Sequence, residues 1–248
     1  MNKLFKNNRD VLDCLKNYLE YLKQSGINHL PKSDFPNGHN DALETRRKTE
    51  CAHKKKVEPD KKSLSHIKKT IGNCKRCKLS DTRHSIVFGS GNADANLMFI
   101  GEAPGRDEDL QGKPFVGKAG ELLTKIISAI DLKREDVYIA NIIKCRPPGN
   151  RDPLPDEIEN CEPFLLQQIE AVRPHVICAL GRLASQTLLK TDAPISTMRG
   201  RFHDFHGIPL MPTYHPAYLL RNPLGKRKVW EDIKKVKDIL NKKNKIFT

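Results

Sequence analysis

Four runs in this chain are short, apolar, rich in β-branched residues and stopped by Gly, Asn or Cys: "IVFGSG" (86–91), "NLMFIG" (96–101), "VYIANIIKC" (137–145) and "HVICALG" (175–181). Between them lie segments whose apolar residues recur at helical spacing, "GELLTKIISAI" (120–130), "PDEIENCEPFLLQQIEAV" (155–172) and "RLASQTLLK" (182–190). Strands that alternate with helices must pair in parallel, because each crossover needs a helix to return the chain to the same end of the sheet. The expected class is therefore α/β, a parallel sheet with helices on both faces. Ligands of such sheets bind beyond the carboxyl ends of the strands. That rule gathers Gly101–Gly105, Asn141 and the loop after "IPLMPTY" (208–214) around one cleft, and a last amphipathic helix, "VWEDIKKVKDIL" (229–240), closes the domain.

The pattern holds for 63–242 and fails before it. Val11, Leu12, Leu15, Tyr18, Leu19 and Leu22 predict an amphipathic helix within residues 1–26, ended by Gly26 and in need of a partner face on the main domain or on another protein. Residues 27–62 lose all periodicity and carry lysine clusters such as "HKKKVEPDKK", the composition of a basic flexible linker. With 44 Lys and Arg against 30 Asp and Glu in 248 residues, the formal net charge is +14. Such an excess fits a polyanionic partner, nucleic acid first and an anionic membrane surface second, although a lysine-rich composition alone produces it too. No apolar run approaches the about 20 residues of a membrane span. The first residues also lack the apolar stretch of a signal peptide. A cytoplasmic protein, nucleoid-associated in a bacterium, is expected.

"GKPFVGKAG" (112–120) comes one hydroxyl short of a phosphate-binding loop. Ala119 occupies the Ser/Thr position that would ligate Mg²⁺, and the stretch does not leave directly from a strand, so the nucleotide reading fails on both counts. The cysteines raise a different chemistry. Cys74 and Cys77 form C-x2-C, and Cys145 and Cys161 form C-x15-C. Four thiolates suit tetrahedral Zn²⁺ and an iron–sulfur cluster equally, while four ordinary thiols remain the plain alternative. Cys178, inside an apolar run, reads as core; Cys14 and Cys51 read as incidental.

Taken together, "GEAPGRDEDLQGKPFVGKAGELL", "ANIIKCRPPGNRDP" and "TYHPAYLLRNP" resemble the family 4 uracil-DNA glycosylases, the iron–sulfur branch of that superfamily, over roughly Ser63 to the final helix. The resemblance implies a three-layer α/β/α fold with a short, mainly parallel central sheet. It also implies a structural [4Fe–4S] cluster on Cys74, Cys77, Cys145 and Cys161. The implied reaction is hydrolysis of the N-glycosidic bond of uracil in DNA by water, which leaves an abasic site and starts base-excision repair. Enzymes of this kind extrude the base first, and an aromatic wall recovers part of the unstacking energy. In that frame Phe115 stacks on uracil, and Ala103 lies at the base pocket where better-known relatives carry an aspartate. Asn141 offers one acceptor and two donors to N3–H and O4, a pattern that cytosine reverses. His215 donates to O2 as the anion develops. Glu102 orients water or steadies the cationic sugar, with Asp107 and Asp109 as alternative carboxylates. Leu219 wedges into the duplex and Arg221 meets phosphate. Gly105 stands where related enzymes have a thymine-excluding tyrosine. The implied partner is uracil-containing DNA, bound by a monomer. A non-catalytic uracil- or DNA-binding module and a zinc-stabilised interaction scaffold are the competing readings.

Overall fold

In a computed structural model of the chain, residues 63–244 are described. The helix expected within 1–26 and the linker at 27–62 lie outside the described residues. Six strands form one sheet: β1 (Ser90–Gly91), β2 (Leu97–Gly101), β3 (Tyr138–Asn141), β4 (Val176–Leu180), β5 (His203–Phe205) and β6 (Ile208–Thr213), in the order β1-β3-β2-β4-β6-β5. The four inner strands pair in parallel, and the two short edge strands run antiparallel to their neighbours. From β2 the chain goes first to β3 on one side and then to β4 on the other. That reversal is a topological switch point, and it opens a crevice at the carboxyl ends of the inner strands. Gly101 and Asn141 face each other there as register partners.

Side chains on β2 alternate between two cores, which accounts for its unbroken apolar sequence. Met98 and Ile100 join Ala140 and Ile177 on one face, covered by Leu165 and Ile169 of α4 (Pro155–Val172) and by Ala184 and Leu188 of α5 (Arg182–Leu189). Leu97 and Phe99 join Ile139 and Met211 on the other, covered by Leu123 and Ile127 of α3 (Lys118–Ser128) and by Val229, Ile233 and Val236 of α8 (Gly225–Asn244). Helix, sheet, helix is the three-layer α/β arrangement expected. The remaining helices are α1 (Leu64–Ile71), α2 (Arg106–Gln111), α6 (Ile195–Met198) and α7 (Pro216–Arg221). Among the described residues no helix is long and apolar enough to cross a membrane.

Two expected strands are shorter than their apolar runs. Of "IVFGSG" only Ser90–Gly91 pairs as a strand, while Val87 N–H donates to the Lys144 carbonyl at 2.7 Å. Of "VYIANIIKC" only the first half is strand: after Asn141 the chain bends across the end of β2, where Ile142 N–H donates to Gly101 O at 2.9 Å and Ile143 N–H to Glu102 O at 3.2 Å. That bend leaves Asn141 as a strand terminus and carries Cys145 away toward the other cysteines.

Candidate active site and cysteine cavity

The crevice at the switch point is a cavity of about 450 Å³, and Glu102, Ala103, Phe115, Asn141, His215 and Arg221 all line it. Asn141 is 2 % exposed, and its Oδ1 is buried with no hydrogen-bond partner. An orphaned buried acceptor costs about 1–3 kcal/mol, so its retention at the wall of a cavity points to a donor supplied by a ligand. Gly101 leaves room for this amide. A Cβ there would collide with Asn141 Oδ1 and lie 2.6 Å from the Phe115 ring.

Phe115 sits in a left-handed backbone conformation, φ 52°, that aims its ring into the cavity 5.5 Å from the His215 ring. The near-P-loop thus joins α2 to α3 and serves as a wall, not a phosphate cradle. Gly120 permits the tight approach, since a Cβ there would collide with the Phe115 carbonyl. Glu108 fixes the following residues: its carboxylate accepts Val116 N–H at 2.9 Å and Gly117 N–H at 3.3 Å, and reaches back to Gly105 N–H at 3.1 Å.

His215 caps α7, its Nδ1 accepting Ala217 N–H at 3.1 Å. A ring nitrogen that accepts carries no proton, which leaves Nε2–H as the donor of the neutral ring. Burial pulls its pKa down to about 4, nearby Arg221 acting the same way and Glu108 against it. Glu102, half-buried, has its pKa raised by burial and by the charge of Asp152, with Arg182 opposing. Asp152 lines the same cavity and pairs with Arg182 at 2.6 Å.

Three expectations are corrected by this geometry. Leu219 is 1 % exposed and packs in the core against α3 and α8, not at a surface where it could enter a duplex. Because α7 starts at Pro216, Pro216 and Leu219 fall three residues apart on its inner face, and Leu220, 46 % exposed, faces out instead. Asp109 is buried, its carboxylate taken up by His84 N–H at 2.9 Å and Ser85 N–H at 3.1 Å. Asp107 is exposed, and neither aspartate lines the cavity. Besides Glu102, the carboxylates that line the cavity are Glu108 and Asp152, and Asp152 falls within "ANIIKCRPPGNRDP" without any local signal to mark it. Glu108, Asn150 and Tyr218, also cavity residues, were missed in the same way.

On another part of the domain, Cys74, Cys77, Cys145 and Cys161 line a second, smaller cavity, whereas Cys178 is fully buried in the core. Cys14 and Cys51 lie outside the described residues. Arg76 Nη1 donates to Cys74 Sγ at 3.3 Å, Arg83 Nη1 to Cys145 Sγ at 3.5 Å, and Lys144 N–H to Cys161 Sγ at 3.3 Å. Burial pushes the thiols of Cys77 and Cys161 up, and that of Cys145 to about 11. Left to themselves they stay protonated, while the surrounding donors fit thiolates bound to something positive. Among the described residues no three His, Cys, Asp or Glu side chains close on a position for a single metal ion.

A strand-end crevice with an aromatic wall, an unpartnered amide oxygen and a neutral histidine donor has the shape and polarity to take a flat, hydrogen-bonding ligand. The model of the uracil DNA glycosylase superfamily matches residues 88–234, and the chain belongs to that superfamily. Within it, the chain is similar to the type-4 uracil-DNA glycosylase of Saccharolobus solfataricus, 47 % identical over 190 residues that cover 73 % of this chain and 88 % of that one. The type-4 enzyme of Archaeoglobus fulgidus is 44 % identical, covering 73 % and 95 % of the two chains. That of Thermotoga maritima is also 44 % identical, covering 71 % and 94 %.

Proposed function

We infer that this chain is a uracil-DNA glycosylase, a hydrolase that cleaves the N-glycosidic bond of extruded uracil in DNA and leaves an abasic site. The observation that carries this reading is the unpartnered Oδ1 of Asn141 at the cavity wall. Uracil N3–H is the donor it lacks, and the same amide's N–H groups meet O4. Cytosine presents an acceptor at N3 and a donor at the 4-position, so it would set acceptor against acceptor. Phe115 stacks on the base, and Ala103 leaves space beside it.

Bond cleavage leaves the electron pair on uracil and positive charge on the sugar. His215 Nε2–H, preorganised by the Ala217 contact, donates to O2 as negative charge grows there. A neutral donor already in place stabilises that charge without reorganisation. Glu102, when ionised, orients water toward C1′ and steadies the sugar cation; the water's hydroxyl ends on C1′ and its proton balances the departing uracil anion. Arg221 at the cavity mouth meets phosphate, and exposed Leu220, rather than Leu219, faces the duplex. Cys74, Cys77, Cys145 and Cys161 would hold a [4Fe–4S] cluster, whose contribution is to tie their loops together. The donors aimed at three of the sulfurs support bound thiolates at this site, and the resemblance to the iron–sulfur branch is what favours the cluster over zinc.

The test is incubation with a uracil-containing oligonucleotide, without added metal or nucleotide, followed by alkali. Strand scission at the uracil position is the expected result. Absence of abasic sites in both single- and double-stranded substrate would favour the binding-module reading.

A further inference from the structure

We propose that Arg134, which lies outside the cavity, is a positioning residue that straps Phe115 into its base-stacking pose; the inference rests on the stacking role given to Phe115 above. Arg134 opens the short turn that leads into β3. Its Nη2 donates to the Pro114 carbonyl at 2.5 Å and its Nη1 to Thr124 Oγ1 at 3.2 Å. Thr124 Oγ1 in turn donates to the Gly120 carbonyl at 3.0 Å, so the guanidinium fastens the residue before Phe115 to α3.

The strap matters because of the backbone it holds. A non-glycine residue in the left-handed region costs about 1–3 kcal/mol and persists only where its surroundings over-determine it. Phe115, at φ 52°, is such a residue. Glu108 holds the two positions after it and Arg134 the one before, so the ring stands between two clamps. With the arginine gone, the Pro114 carbonyl loses that donor, and Phe115 is free to relax toward negative φ, which turns its ring away from the base. A planar fork with donors in fixed directions spans the two acceptors; a single lysine ammonium reaches one at a time. Glu108 touches the cavity and influences His215, so its substitution would mix effects. Arg134 does not line the cavity, and its charge faces Glu108 without being among the groups that shift His215.

The experiment uses the 248-residue chain as parent, Arg134→Gln, Arg134→Lys, Phe115→Ala and the Arg134→Gln/Phe115→Ala double variant. Each is measured for KM and single-turnover rate on a uracil oligonucleotide, for inhibition by free uracil, and for Tm. Arg134→Gln is expected to raise KM and the uracil inhibition constant about tenfold, with Arg134→Lys recovering part of the loss. In the Phe115→Ala background the arginine substitution should add less than about twofold, because the ring it positions is already absent. A lowered Tm with parental KM and parental uracil inhibition would overturn the strap, as would losses that simply multiply in the double variant. Should Phe115→Ala leave uracil inhibition unchanged, the stacking role falls and the strap with it, while the glycosylase activity stands.

Discussion

Glu102 and Asp152 both line the cavity, and the charge balance around them sets when Glu102 is ionised. Burial and Asp152 both raise its pKa, and Arg182 lowers it. In the proposed mechanism the ionised form is the active one, so the rate should climb with pH through a value above the ordinary carboxylate range. Asp152→Asn removes a raising influence, so the acid limb of the pH–rate profile should move to lower pH. Arg182→Gln removes the opposing charge and should move it higher. Single-turnover rates across pH 4 to 8 check both directions, and coincident profiles for the three proteins would show that Glu102 does not govern the limb. His215 titrates the other way. Its folded pKa of about 4 lies below the ordinary 6.5 of an imidazole, so the unfolded chain binds the extra proton first as pH falls. The stability associated with the neutral ring is complete above pH 6.5 and is lost progressively down to about 4, amounting to roughly 3 kcal/mol. Urea unfolding at pH 7 and pH 4.5 should therefore show a steeper acid loss for the parent than for His215→Gln.

At the scale of elements, what could be read in advance depended on length. β2, β4, α3, α4 and α5 each run long enough to display a period or an unbroken apolar run. The helices α2, α6 and α7 have four to six residues, less than two turns and too few to display a helical period, and β5 has only three residues. The same limit governed the site. Asn141 and Ala103 were legible because a parallel sheet delivers strand ends to its crevice. Glu108 and Asp152 were not, because a helix of only six residues brings in the first and a loop the second, and neither displays a period. Leu219 shows how a short helix misleads: whether it faces core or solvent turns on the residue at which α7 begins. The cysteine cavity draws Cys74 and Cys77 from the loop after α1, Cys145 from the bend after β3 and Cys161 from α4. Losing one sulfur should therefore unfasten several elements. Cys74→Ala and Cys161→Ala should bind less iron per chain and melt at lower temperature than the parent, whereas Cys51→Ala should match the parent in both. Equal iron content in all three variants would remove the cluster assignment.

For the whole molecule, the proposed function gives the net charge of +14 and the cavity different parts of one substrate. Lysines neutralise phosphates without regard to sequence and release counterions, whereas the cavity reads one extruded base. The basic segment before residue 63 should contribute to the first task alone. Removal of residues 1–62 should leave uracil release intact at low salt while flattening the dependence of DNA binding on salt, and an unchanged slope would make that segment a spacer.

Base reading and bond cleavage are separable at the cavity, and single-turnover release of uracil from an oligonucleotide separates them most directly when run beside binding of a non-cleavable uracil analogue. The parent should release uracil with no added metal or nucleotide. Glu102→Gln keeps the shape of the site and should bind the analogue nearly as well as the parent while releasing uracil at least about 100-fold more slowly. Asn141→Ala should lose both analogue binding and rate, because the orphaned acceptor that awaits N3–H is gone. An Asn141→Ala variant that binds the analogue and releases uracil like the parent would contradict the account at its centre.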